Sequence, residues 1–238
     1  MIQINFKKTI LPVMLGLIIA SSDMLAEEPE FRFDFQILHA NFFDESVEIT
    51  ADTPDPNLIL YYLRNDTFTL IRSDPWVPSE YYTYVGDGSF QFYVKDSSTE
   101  LGYRSVVGFQ ARERWDRVIF VIYADLERKR FEGRPVVFTP EQRETPGVHF
   151  FNLSAQAMKV NIGGDSIRDI DSGAMAYLEF PPSDDNRFRI QAIVKQGERW
   201  RKVISSKRYM DPRHAYFSIL CQPMVNRNKY SVRLAILD

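Results

Sequence analysis

Residues 89–95 read SFQFYVK, and the two-residue beat of Phe90, Phe92 and Val94 returns along most of the chain. Successive side chains of a strand point to opposite faces, so this alternation puts one apolar set on the buried face of an antiparallel sheet. It predicts strands at 33–41, 46–51, 58–63, 67–71, 89–95, 104–110 and 117–124. A second series follows at 148–152, 157–162, 174–180, 187–195, 200–206, 215–221 and 229–237. Clusters of Gly, Pro, Asn, Asp and Ser separate these segments, and no long stretch carries a helical stripe. Many short strands at such spacing imply sandwiches or barrels.

The chain also repeats itself. ILHANFFDESVEIT at 37–50 has a counterpart in FFNLSAQAMKVNI at 150–162. Setting His39 against Asn152 places Phe35 on Val148, Ile37 on Phe150, Val47 on Val160 and Ile49 on Ile162, so inward positions stay apolar. Farther on, FQFYVK ending at Lys95 matches IQAIVK ending at Lys195, and VIFVIYA at 118–124 matches AYFSILC at 215–221. This order requires an insertion in the first copy between Asp52 and Ser89. The long loop RSDPWVPSEYY at 72–82 is its natural place, because surface loops accept extra residues without stranding buried backbone groups. ERWDRVI at 113–119 and ERWRKVI at 198–204 are closer letter for letter, but pairing them scrambles every other match. The repeated phrase has a physical cause: where a first strand ends, a His or Asn side chain bonds backbone groups that the ladder no longer serves. The expected fold is all-β, with two tandem immunoglobulin-like antiparallel β-sandwich domains at 27–131 and 147–238. A linker rich in proline and charge, 132–146, joins them.

Ahead of the first copy, Lys7 and Lys8 precede the apolar run ILPVMLGLIIA at 10–20, and small and polar residues follow through Ala26. That is the layout of a secretory signal peptide at 1–26, with an apolar run well short of the roughly 20 residues of a spanning helix. Cleavage between Ala26 and Glu27, or after Ser22, leaves a mature chain without a transmembrane segment. Its expected address is the periplasm or surface of a bacterial cell. Cys221 is the only cysteine, so no internal disulfide forms. Its apolar setting predicts a buried, inert thiol. With 29 Lys and Arg against 32 Asp and Glu, the chain as a whole has no net field to gather nucleic acid.

At FQILHANFFDESVEITAD, 35–52, the chain resembles the opening of DUF4397-type β-sandwich domains of secreted bacterial proteins: an apolar strand, a His or Asn before a small residue, then a Val-rich strand. At FFNLSAQAMKVNIGGD, 150–165, it resembles a segment of the periplasmic accessory protein of alginate O-acetylation. Each resemblance covers about one hairpin. Together they imply a secreted or periplasmic sandwich of unassigned or accessory role, and they bring no catalytic residues with them.

Patterns that carry chemistry are missing. His39, His149 and His214 stand in no metal-ligand spacing, no GxSxG elbow occurs, and no glycine loop suits a phosphate. The acidic loops ADTPDPN at 51–57 and PPSDDN at 181–186 read as turns rather than calcium loops. The expectation is a protein with no catalytic residue, no metal and no cofactor. One cluster is a candidate contact: Trp76, Tyr81, Tyr82 and Tyr84 crowd the insertion beside Pro75 and Pro78. Aromatic faces there either cover the end of a sandwich core or stack against a sugar or a protein partner. The basic strips ERKR at 127–130 and ERWRK at 198–202 either hold an acidic polysaccharide or discourage edge-to-edge pairing. The function expected is a non-enzymatic envelope component, an accessory or structural module of a surface or polysaccharide-related assembly. Its partners are then an envelope protein or a polysaccharide rather than nucleic acid. The alternative is carbohydrate binding by the aromatic loop.

Overall fold

The computed structural model describes residues 30–40, 59–125, 128–164, 166–221 and 230–237. The expected signal peptide, with its cleavage at Ala26 and Glu27, and the expected strand at 46–51 lie outside the described residues. The first copy builds β1 (Phe31–Ala40), β2 (Leu60–Arg64), β3 (Thr67–Ile71), β4 (Tyr82–Gly86), β5 (Ser89–Lys95), β6 (Tyr103–Gln110), β7 (Arg117–Asp125) and β8 (Arg130–Val137). After the short helix α1 (Pro140–Glu144), the second copy builds β9 (Gly147–Asn152), β10 (Met158–Ile162), β11 (Arg168–Ile170), β12 (Met175–Leu178), β13 (Arg187–Gln196), β14 (Arg199–Tyr209), β15 (Ala215–Cys221) and β16 (Ser231–Ile236).

Each copy is a sandwich of two four-stranded sheets. The first has the orders β4-β1-β7-β8 and β3-β2-β5-β6, the second β12-β9-β15-β16 and β11-β10-β13-β14. Adding eight to each strand number converts one copy into the other, so the repeated phrase marks a repeated fold. Neighbours run antiparallel except β1 with β7 and β9 with β15. The connections between those partners pass through the opposite sheet and are long enough for parallel pairing. Even an irregularity is duplicated. Phe92 faces Val107 and Tyr93 faces Ser105, leaving Val106 as the extra residue of a bulge. Ala192 faces Ile204 and Ile193 faces Lys202, leaving Val203 in the same place.

Three apolar layers hold the strands. Between the sheets of the first copy, Phe33, Phe35, Tyr62, Phe90, Phe92 and Phe120 make an aromatic core, with Phe90 ring centroids 4.9 Å from Phe35 and 4.7 Å from Phe92 in edge-on contact. The second core is mainly aliphatic, around Val148, Val160, Ile190, Ala192, Val194 and Leu220. The third lies between the copies: Leu38, Ile119, Val121 and Phe138 meet Phe151, Phe217, Ile219 and Cys221. Sheets β4-β1-β7-β8 and β12-β9-β15-β16 are therefore inner sheets, packed on each other, and the other two are outer sheets. Burying one large apolar side chain is worth roughly 1.5–3 kcal/mol, so a layer of this size joins the sandwiches into one four-sheet stack.

That stack explains where alternation misleads. β7 is buried from Val118 to Asp125 and β15 along its whole length, so both faces are apolar and no polar beat marks the register. Phe35 pairs with Val118, whereas Val148 pairs with Tyr216. The counterpart of Val118 is thus Tyr216, and the expected match of VIFVIYA with AYFSILC is one residue out. The second strand also moves. Tyr62 faces Phe92 as Val160 faces Ala192, so Val160 corresponds to Tyr62 rather than to Val47. Nineteen residues, 41–59, separate β1 from β2, against five, 153–157, in the second copy. The first copy is therefore lengthened before β2 as well as in the aromatic loop, where ten residues, 72–81, stand against four, 171–174. The order-scrambling match of the two ERW segments is coincidence: Trp115 precedes β7 in the first core, and Trp200 lies on exposed β14.

In the corrected register Phe120 corresponds to Ser218. Ser218 is fully buried, and among the described residues its hydroxyl has no hydrogen-bond partner. An unsatisfied buried hydroxyl costs more than it returns, so Ser218→Ala is expected to raise stability by about 1 kcal/mol in urea titration.

The stretch expected to be a linker is built in. Its first six residues, 132–137, belong to β8, and α1 follows. Thr139 caps this helix by accepting from Gln142 N at 3.2 Å, while the Gln142 side chain accepts from Thr139 N at 2.9 Å. Arg143 then donates to Tyr81 Oη and to Arg117 O, both at 3.0 Å. On the other side the His149 ring, packed between Phe138 and Tyr177, donates through Nε2 to Gln142 O at 2.8 Å. The prolines and charges of this stretch are a helix start and a clasp between the copies. Burial holds the His149 pKa below its ordinary 6.5, outweighing the bond to Gln142 O. Because the unfolded chain takes up that proton first, His149 favours folding fully above about pH 6.5 and less as pH falls below it. Urea midpoints at pH 8, 6.5 and 5 are expected to fall more steeply for the native chain than for His149→Gln.

Candidate functional site

The loop carrying Trp76 and Tyr81 runs back along β1 beyond the end of β4. Trp76 N donates to His39 O at 2.9 Å and Ser79 N to Ile37 O at 2.8 Å, while Ser79 Oγ accepts from Ile37 N at 2.9 Å. It thereby covers a sheet edge that would otherwise expose unpaired backbone groups. Trp76 takes a positive φ of 66°, which lays its half-buried ring against the layer between the copies and 5.0 Å from the Arg233 guanidinium. Tyr82 belongs to β4, with its ring on Phe35 and Tyr62 and its hydroxyl accepting from Arg72 N at 2.9 Å. Tyr84 is buried in the first core. Tyr81 is 37% exposed, bonded to Arg143 and lying 5.3 Å from the Arg117 guanidinium. The four aromatics do not share one face: Trp76 points to the inner layer, Tyr82 and Tyr84 to the first core, and Tyr81 to the clasp.

The other reactive residue types are dispersed. His39 is buried at the end of β1, His149 is clasped by α1, and His214 sits in a turn with Nδ1 3.6 Å from Asp211 Oδ2. Among the described residues no three His, Cys, Asp or Glu side chains gather as a metal site, and no helix is long and apolar enough to cross a membrane. Cys221 is buried, and burial pushes its thiol up to about 11, the inert state expected of it. A depression of about 530 Å³ over Pro146, Tyr177, Phe180 and Pro182 holds one carboxylate, Glu179, too few for a paired acid and base.

The broad surfaces are the outward faces of the two outer sheets, at opposite ends of the stack. On β3-β2-β5-β6 the residues opposite the core are aromatic. Phe68 stacks on Tyr103 at 3.9 Å and 16°, with Tyr93 5.0 Å from Phe68 and Tyr61 5.1 Å from Tyr103, both edge-on. Lys95 stands 5.7 Å from the Tyr61 ring, and the exposed Leu63 and Leu70 border the array. Sequence reasoning passed over this platform. Its signal is present in LYYL and TFTLI, where apolar residues occupy the outward beat as well as the inward one.

On β11-β10-β13-β14 the outward beat is basic. Arg187, Arg189 and Lys195 alternate with buried Phe188, Ile190, Ala192 and Val194 along β13, and β14 sets Tyr209, Lys207 and Trp200 directly opposite those three cations. Lys202 and Lys159 flank Ile193. Asp169 is the carboxylate on this face, bonded to Lys159 at 2.9 Å, and Asp185 lies at the rim, its carboxyl held below the usual range by Arg187 N and nearby cations. Arg187, Arg189, Lys195, Lys202 and Lys207 form no salt bridge among the described residues. The other basic strip differs: Arg128 and Arg130 are bonded to Glu132 at 2.7 and 2.8 Å. The near-neutral total hides this separation. Residues 27–146 hold 13 Lys and Arg against 22 Asp and Glu, and residues 147–238 hold 14 against nine.

No protein-family model matches this chain, and no match is found among curated proteins.

Proposed function

We propose that the chain is an exported, non-enzymatic accessory module of a surface or polysaccharide-related assembly in the bacterial envelope. The observation that carries this reading is the opposition of two open sheet faces of different chemistry, one aromatic and one basic, on a single four-sheet stack. Flat faces on a rigid scaffold suit the holding of extended partners, whereas turnover needs convergent groups around a reacting atom. The lysines and short apolar run at 7–20 support the export step. N-terminal sequencing of the protein recovered from a bacterial host tests that step. A mature start near Glu27 in the extracytoplasmic fraction is expected, and an intact cytoplasmic chain overturns the reading.

The carbohydrate alternative is favoured at a different place from the aromatic loop. Tyr61, Phe68, Tyr93 and Tyr103 form a platform of ring faces and edges of the kind that sugar rings cover. Affinity-gel retardation by a neutral glucan is then expected to weaken in Tyr103→Ala and to persist in Trp76→Ala, whose loss acts on stability. Equal retardation of Tyr103→Ala and the native chain removes this second reading.

A further inference from the structure

From the outward face of β11-β10-β13-β14 we infer a docking surface for an anionic phospholipid bilayer. The inference rests on the envelope reading above, in which lipid is the anionic plane at hand, and it names the partner. The cations occupy three strands: Lys159 on β10, Arg187, Arg189 and Lys195 on β13, Lys202 and Lys207 on β14. Arg187 and Lys195 are eight residues apart, about 26 Å at strand rise, and β10 and β14 are two strand spacings apart, about 10 Å. Ile193 lies between Lys159 and Lys202. At the two ends Trp200 and Tyr209, 48% and 71% exposed, stand opposite Lys195 and Arg187. Exposed Trp and Tyr beside Lys and Arg make up the chemistry of a bilayer interface, where the rings lie at headgroup depth and the charged tips meet phosphates. Lys159, 4.9 Å from the Trp200 ring, adds a charge beside that aromatic.

The place of this face in the stack favours a plane. It closes one end, so a flat surface meets its whole outward beat at once. The excess of acid belongs to the first copy, whose nearer sheet lies two sheet spacings behind, about 20 Å. Charge is screened over that distance at physiological salt, where the Debye length is about 8 Å. A bilayer therefore meets the basic copy alone, although the whole chain carries more acid than base. A dissolved polyanion engages the same cations but leaves the Trp200 ring in water. Entry of that ring into lipid is what separates a bilayer from nucleic acid or an anionic glycan.

The test is equilibrium binding of the full chain to mixed phosphatidylglycerol and phosphatidylcholine vesicles, with duplex DNA and polygalacturonate as parallel probes. Because the apolar run at 10–20 is itself attracted to lipid, each result is read as the difference between the native chain and a variant with the same N-terminus. The native chain is expected to bind the mixed vesicles at about 50 mM salt, with an affinity that falls as salt rises. Arg189→Glu with Lys207→Glu is expected to weaken binding by about tenfold or more. Arg112→Glu with Arg114→Glu, the same charge change on an exposed turn of the first copy, leaves it unchanged. The pair Lys195→Glu and Lys202→Glu repeats the measurement at the other end of the face should the first pair alter the urea midpoint. Brominated acyl chains are expected to quench the fluorescence of the native chain more than that of Trp200→Phe. Indifference to both charge reversals on the face, equal quenching of Trp200→Phe and the native chain, or tighter binding per anionic group to DNA or polygalacturonate overturns the inference. If these vesicle results fail while the chain is still exported and cleaved, only this inference falls; an intact chain left in the cytoplasm removes the envelope reading, and this choice of partner with it.

Discussion

Phe217→Asp is expected to prevent the protein from accumulating in folded form. Phe217 is 1% exposed in the layer between the copies, with its ring 5.4 Å from Phe138 and 6.4 Å from Phe151. A carboxylate there has no described cationic partner, and the cost is about 5 kcal/mol or more. Whole-protein stabilities are typically 5–15 kcal/mol, so such a loss is decisive. Phe217→Leu, which keeps an apolar contact, is expected to cost about 1–2 kcal/mol and to fold. The same layer makes a second, sharper statement. Because it joins the inner sheets of both copies, the native chain is expected to unfold in urea as one transition. Trp115 in the first core and Trp200 on the last sheet should report the same midpoint in single-tryptophan variants. Two separated midpoints would show that the copies are independent domains and that the layer contributes little.

The sandwiches were legible because their outer sheets are half-buried: strands such as β5 and β13 show one apolar face, and the match of Lys95 with Lys195 holds down to the bulge. The inner sheets were not legible in register, since β7 and β15 are apolar on both faces and a one-residue slip leaves every position plausible. β4 and β8 escaped notice for another reason. Tyr82–Gly86 sits at the end of a proline-bearing loop, and β8 is charged and contains Pro135, as an edge strand can. For the site, aromatic density in the sequence pointed to Trp76, Tyr81, Tyr82 and Tyr84, but density does not say which way a ring faces. The Tyr61, Phe68, Tyr93 and Tyr103 platform depends on residues from four strands, and the basic stripe depends on which beat of β13 and β14 faces out. Both follow from pairing, which composition cannot provide.

Asn152→Ala is expected to lower stability by about 3 kcal/mol or more, the largest loss for removing one polar side chain. Asn152 is fully buried at the end of β9. Its Nδ2 donates to Gln156 O at 2.7 Å and Ile170 O at 3.1 Å, and its Oδ1 accepts from Ser154 N at 3.0 Å and Ser154 Oγ at 2.7 Å. Four bonds thus fix the five-residue turn into β10 and the end of β11. Alanine strips the buried Ile170 carbonyl and Ser154 amide of these partners, each loss costing about 1–3 kcal/mol. Asn152→Asp keeps the acceptor but aims a carboxylate at two carbonyl oxygens, so it is expected to be at least as damaging at neutral pH and milder near pH 3, where the acid can donate. A urea midpoint for Asn152→Ala within experimental error of the native value would mean that this network only decorates a turn that backbone pairing already holds.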